Sequence, residues 1–81
     1  MDNGFGRPVK RSVTIAGHQT SISLEPMFWR ELEKAAAATD TPVNALIAKV
    51  DALRLESRPA PNLTSALRQW LFERALGGAE N

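Results

Sequence analysis

Gln19-Thr20-Ser21-Ile22-Ser23-Leu24, closed by Glu25-Pro26, is the stretch on which the fold turns. From Thr20 on, small polar residues alternate with Ile22 and Leu24, a period of two that leaves one face apolar and describes a short half-buried strand. Pro26 then sets φ near the helical value and lacks the N–H that a first helical residue leaves unpaired, so a helix starts there. A strand that runs straight into a helix needs a second strand to pair with.

Upstream, Arg11-Ser12-Val13-Thr14-Ile15 alternates in the same way. Val13 and Ile15 fall on one side and Ser12 and Thr14 on the other, which predicts a second short strand. Ala16-Gly17-His18-Gln19 separates the two. A Gly-containing connection of about four residues suits a β-hairpin, and a bulge at Gly17 in one long strand suits the same residues. Residues 1–6 hold glycine and turn formers without a period, and residues 1–9 read as a flexible N-terminal arm.

Downstream the period changes. Phe28, Trp29, Leu32, Ala35 and Ala36 recur at helical spacing, predicting a first helix over residues 26–38. The alanines from Ala35 to Ala38 favour helix and leave a slim surface that a second helix can approach. Thr39-Asp40-Thr41 breaks the pattern. Thr41-Pro42 reads as an N-cap followed by proline at the first position of a second helix, with Val43, Leu46, Ile47, Val50 and Leu53 as its stripe and an end near Glu56. Arg58-Pro59-Ala60-Pro61 is a stiff connector. Leu63, Ala66, Leu67, Trp70, Leu71 and Ala75 then mark a third helix over residues 62–76, capped by Asn62 or Thr64 and stopped by Gly77-Gly78, before a frayed tail at 79–81. The expected organisation is an arm (1–9), a core (10–57), and a connector with the third helix (58–81), mainly α with a short β-ribbon.

With 81 residues, 43% apolar and 23% charged, the chain makes one domain at a size where a single core is marginal, so oligomerisation is expected. Lacking cysteine and holding one histidine, it has neither disulfides nor a zinc cage to compensate, and no metal or cofactor is expected. No apolar run reaches the length of a membrane span and the first residues lack a secretory pattern, so a cytoplasmic location is expected. The formal charge of +1 is uneven: up to Leu24, Arg7, Lys10 and Arg11 outweigh Asp2, whereas acids exceed bases in residues 25–57. Such an arm is either a solubilising feature or, doubled in a dimer, a source of salt-sensitive attraction to phosphates. Enzymatic readings find little support. His18 lies in the expected turn with no nucleophile or base placed beside it, and no glycine loop has the setting of a phosphate cradle. Trp29 and Trp70 offer stacking surfaces for single-stranded bases, but both fall on apolar stripes, where core packing is the better reading.

The succession of strand, prolyl helix start, amphipathic helix, short break, and Thr-Pro-Val-Asn-Ala-Leu-Ile (residues 41–47) resembles the ribbon-helix-helix family of Arc/MetJ-type DNA-binding proteins over residues 20–55. It looks most like the variant with a leading strand, here Lys-Arg-Ser-Val-Thr-Ile-Ala-Gly-His (10–18), and a third helix, here Asn-Leu-Thr-Ser-Ala-Leu (62–67). The resemblance implies a homodimer whose strands pair antiparallel over interlocked helices, with Ile22, Leu24, Leu32, Leu46, Ile47 and Val50 in the shared core. It also implies a bacterial-style transcriptional regulator whose ribbon enters the major groove of double-stranded DNA. Gln19, Ser21 and Ser23 would face the bases. Thr41, Val43 and Asn44, at the N-terminus of the second helix, would hold a phosphate, and Lys10 and Arg11 would anchor the backbone. The alternative follows from a hairpin: it would give the dimer four strands, and the fold would then serve as a protein-interaction module, antitoxin-like or in assembly. The third helix would there contact a protein partner or build a tetramer.

Overall fold

The computed structural model describes residues 5–77. The chain runs β1 (Val9–Ile15), β2 (His18–Leu24), α1 (Pro26–Ala38), α2 (Val43–Arg54) and α3 (Leu63–Gly77). The two strands pair antiparallel, from Val9 opposite Leu24 to Ile15 opposite His18. Of the two readings of the N-terminal half, the hairpin is therefore the one adopted. Its loop is shorter than the expected four residues: only Ala16 and Gly17 lie between the strands, with φ of +51° and +82°. Positive φ at both central positions is what a type I′ turn requires, and its twist matches that of the flanking strands. His18 and Gln19 consequently belong to β2 rather than to the turn.

The register sorts the side chains into two faces. Val9, Arg11, Val13 and Ile15 stand opposite Leu24, Ile22, Thr20 and His18 on the face turned to the helices, where Val13, Ile22 and Leu24 are buried. Helix α1 starts at Pro26 as the sequence predicts, and Glu25 supplies the first carbonyl, accepting from the amides of Phe28 and Trp29 at 2.9 and 3.2 Å. Its end is a Schellman closure. The Thr41 amide donates to the Ala36 carbonyl at 2.8 Å and the Asp40 amide to the Ala37 carbonyl at 3.1 Å, with Asp40 at φ +52°. Thr39 adds a side-chain bond to the Ala35 carbonyl at 2.9 Å.

Two helix boundaries differ from expectation. Pro42 is the N-cap of α2 rather than its first helical residue, in an extended conformation with ψ 149°, so Thr41 lies outside the helix. The Thr41 hydroxyl turns back to donate to the Thr39 carbonyl at 2.9 Å and caps nothing. At its far end α2 stops at Arg54, whose guanidinium joins Asp51 at 2.7 Å and the Pro61 carbonyl at 3.0 Å, tying the stiff connector back to the helix. For α3 the cap is Asn62, whose Oδ1 accepts from the Ser65 amide at 2.7 Å. The expected stop at Gly78, the tail at 79–81 and the arm residues 1–4 lie outside the described residues.

The core joins all five elements. Leu24, Leu32, Ile47 and Leu67 are fully buried, with Ile22, Trp29, Ala35, Ala36, Leu46, Val50 and Leu71 around them. Every residue expected in a shared dimer core is thus buried inside a single chain. The physical reason is the hairpin, since β1 supplies in cis the strand that β2 needs, and α3 closes the remaining side against α2. Ala75, expected on the buried stripe of α3, is exposed, as is Leu53 at the end of the α2 stripe.

Candidate nucleic-acid interface

The outer face of the hairpin is built by alternation alone. With Ile22 and Leu24 inward, Gln19, Ser21 and Ser23 must point away from the helices, and in β1 the same holds for Lys10, Ser12 and Thr14. The register sets them in cross-strand pairs, Lys10 with Ser23, Ser12 with Ser21 and Thr14 with Gln19. All are exposed. This face carries amide, hydroxyl and ammonium groups and no carboxylate, and Lys10 has no ion-pair partner among the described residues. It therefore offers both donors and acceptors with a positive bias. Neighbouring strands lie about 4.8 Å apart, and outward residues along one strand recur about every 6.8 Å.

Arg11 sits differently from Lys10. It lies on the helix-facing side of β1, with its guanidinium 4.5 Å from the centroid of the Trp29 ring and 3.0 Å from a Glu33 carboxylate oxygen. The adjacent Trp29 is buried and donates its indole N–H to the Val9 carbonyl at 2.8 Å. Arg11 thus packs the hairpin onto α1 and has its charge matched locally. The expected pair of backbone anchors is split between two faces, because consecutive strand residues point in opposite directions. Arg7, just ahead of β1, is exposed.

At the N-terminus of α2, Val43 is half-buried and Asn44 exposed. The first intrahelical amide bond there is from Leu46 to the Pro42 carbonyl at 3.0 Å, so the amides of Val43 and Asn44 belong to the set that a helix start leaves without helical acceptors. The Asp40 carboxylate is close in sequence and exposed, which weakens the attraction of this end for anions. At the start of α1, Glu25 faces Arg68 of α3 at 3.3 Å. A backbone hydrogen bond at Glu25 holds its carboxyl below the usual range, burial opposes this, and the Arg68 guanidinium adds to the lowering.

Sequence reasoning placed Gln19, Ser21 and Ser23 on this surface but left out Ser12 and Thr14. Their alternation was visible in residues 11–15; what made them part of the same face was the pairing register. His18, half of the pair that closes the turn, is exposed. Among the described residues no group of His, Cys, Asp and Glu could hold a metal ion, and no helix is long and apolar enough to cross a membrane.

A family model described as a ribbon-helix-helix domain matches residues 8–75. That span takes in both strands, α1, α2 and nearly all of α3. No curated protein and no solved structure matches the chain significantly.

Proposed function

The chain belongs to the ribbon-helix-helix domain family, whose members generally bind DNA as dimers, and from this premise we propose that it is a homodimeric transcriptional regulator of bacterial type. It acts in the cytoplasm on double-stranded DNA and has no chemistry of its own. Each chain reads the major groove with the outer face of its own hairpin. The observation that carries this reading is the uninterrupted polar face of Lys10, Ser12, Thr14, Gln19, Ser21 and Ser23 on a ribbon whose other face is occupied by the core.

Width favours the single hairpin as the reading unit. The major groove is about 12 Å wide and admits a two-stranded ribbon. Four strands in one sheet span about 14 Å between the outer backbones alone, before side chains are added. Along each strand, outward side chains about 6.8 Å apart match two base-pair steps. Gln19 suits the N6 and N7 edge of adenine, the serines accept from or donate to several bases, and the Thr14 methyl suits a thymine methyl. Lys10 reaches guanine O6 and N7 or a phosphate. The amides of Val43 and Asn44, with the Thr41 hydroxyl, are the secondary phosphate contacts; Arg11, held by Trp29 and Glu33, supports the ribbon from beneath.

The test is selection from a randomised duplex pool, followed by binding to the selected site over a salt series. Replacing Gln19 by Ala is expected to cost about 1–3 kcal/mol and relax preference at one base position, whereas Lys10→Ala reduces the salt slope by about 1 without changing the preferred site. A pool that shows no enrichment, together with no salt-dependent binding at micromolar protein, would sink the DNA reading. It would favour the second reading, protein contact through this fold, for which the exposed apolar side chains of Met27 and Phe72 speak.

A further inference from the structure

Of residues 5–30 only Glu25 is acidic. It stands where β2 passes into α1, directly after Leu24, and its carboxylate makes no capping bond to the helix. Ser23, two positions earlier, lies across from Lys10, the cation of the outer face. At about 3.4 Å per residue the backbone of Glu25 is about 6.8 Å from that of Ser23, less than the screening length of about 8 Å at physiological salt. The Glu25 carboxyl is held below its usual range, first by a backbone hydrogen bond. It is therefore a full negative charge beside the end of the ribbon at neutral pH. Left unmatched, such a charge opposes the phosphates that flank a ribbon in the major groove.

We propose that Arg68 of α3 cancels this charge and so keeps the end of the ribbon open to the DNA backbone, which makes it an affinity-determining residue outside the hairpin. The inference rests on the DNA reading and gives the third helix a part in it. The contact is a fork: Nε and Nη2 of Arg68 reach Oε1 and Oε2 of Glu25 at 3.3 and 3.5 Å. Two nitrogens face two oxygens, the arrangement in which a guanidinium matches a carboxylate best. The Phe28 ring, its centroid 5.8 Å from the guanidinium carbon, adds a second attraction for a cation at this place. The pair spans 43 positions of sequence, so it is set by the packing of α3 and not by neighbourhood along one helix, as with Lys34 and Glu31. Both side chains are partly exposed, 40% for Arg68 and 30% for Glu25, and a pair of this kind contributes little to stability. Its loss is then felt as charge rather than as unfolding. Glu33, which meets Arg11 on the inner face, is matched in the same way, whereas Lys10 has no ion-pair partner among the described residues. The positive bias of the outer face depends on both matches.

The experiment measures binding of the full chain to a duplex recovered from the randomised pool, over a salt series, for the wild type, Arg68→Ala, Glu25→Gln and the double variant, with circular dichroism as the check on folding. Arg68→Ala leaves Glu25 unmatched and is expected to weaken binding about threefold for each chain engaged at low salt, the effect of one unit charge about 7 Å away in water. Glu25→Gln leaves Arg68 unmatched and is expected to tighten binding by a similar factor. The double variant, with neither charge, is expected to bind as the wild type does, and the differences shrink as salt rises. A pair that served only to hold α3 against the start of α1 would give another order, with both single variants weaker than the wild type at every salt concentration. Glu25→Gln that fails to tighten binding, Arg68→Ala that binds as the wild type, or a double variant as weak as Arg68→Ala overturns the proposal. A pool that yields no binding site for the wild type removes the DNA reading and the proposal with it. A wild type that binds while the variants break the expected order rejects the proposal alone.

Discussion

Trp29 of α1 ties the hairpin to the helices. Its ring is buried against the core, its indole N–H bonds the Val9 carbonyl at 2.8 Å, and Arg11 covers its face at 4.5 Å. Trp29→Phe keeps most of the apolar volume and the face under Arg11 but removes the only donor of the ring. The Val9 carbonyl, on an exposed residue, then loses this partner, which costs about 0.5–1.5 kcal/mol. For a domain of this size, a thermal midpoint about 4–8 °C lower is expected for each kcal/mol lost. A melt of the variant that coincides with the wild type would show that the bond to Val9 does not hold the ribbon to α1. That Trp29 belongs to the core was legible from its helical spacing with Leu32 and Ala36. The position of Arg11 was not. Its place on the inner face depends on strand parity, and a cationic residue there is tolerated only because an aromatic ring and a carboxylate from α1 meet it.

At the scale of elements, the hairpin turn is where local preference and the observed backbone conflict. Gly17 occupies positive φ without penalty, and a Cβ there would meet nothing within 4 Å, so its role is conformational. Ala16, at φ +51°, has no such freedom. Alanine in the left-handed region costs roughly 1–2 kcal/mol, and asparagine, which forms local hydrogen bonds there, suffers less. Ala16→Asn creates the Asn-Gly pair that a type I′ turn prefers and is expected to stabilise the protein by about 0.5–1 kcal/mol, raising the thermal midpoint by a few degrees. An unchanged or lower midpoint would mean that this turn is not strained at Ala16. The same conflict explains why the loop was read as longer than it is: Ala-Gly carries only half of the usual signature, and His18-Gln19 lack β-branching. The strands themselves and α1 were plain from period two and period 3.6, respectively. The start of α2 was one residue off, because a proline fits both the N-cap and the first helical position. Ser12 and Thr14 were visible as an alternating pair, but only the register sets them beside Ser21 and Gln19.

On the scale of the whole molecule, the closed core separates folding from association. Ile22, Leu24, Leu32, Leu46, Ile47 and Val50 are buried within one chain, beneath the ribbon formed by its own two strands. The expectation of a shared core came from the family resemblance, and that of oligomerisation from size and composition, which weigh the length of a chain. They do not register a leading strand that pairs in cis or a third helix that packs on α2. The consequence for DNA binding can be measured with two duplexes, one carrying a single selected site and one carrying two, centred one helical turn of about 34 Å apart or a multiple of it. A dimer that engages both sites makes its second contact at high effective concentration, and affinity for the paired site is expected to exceed that for the single site by roughly 10²–10⁴-fold. If the wild type shows no preference for any paired spacing, dimerisation plays no part in how this ribbon engages DNA.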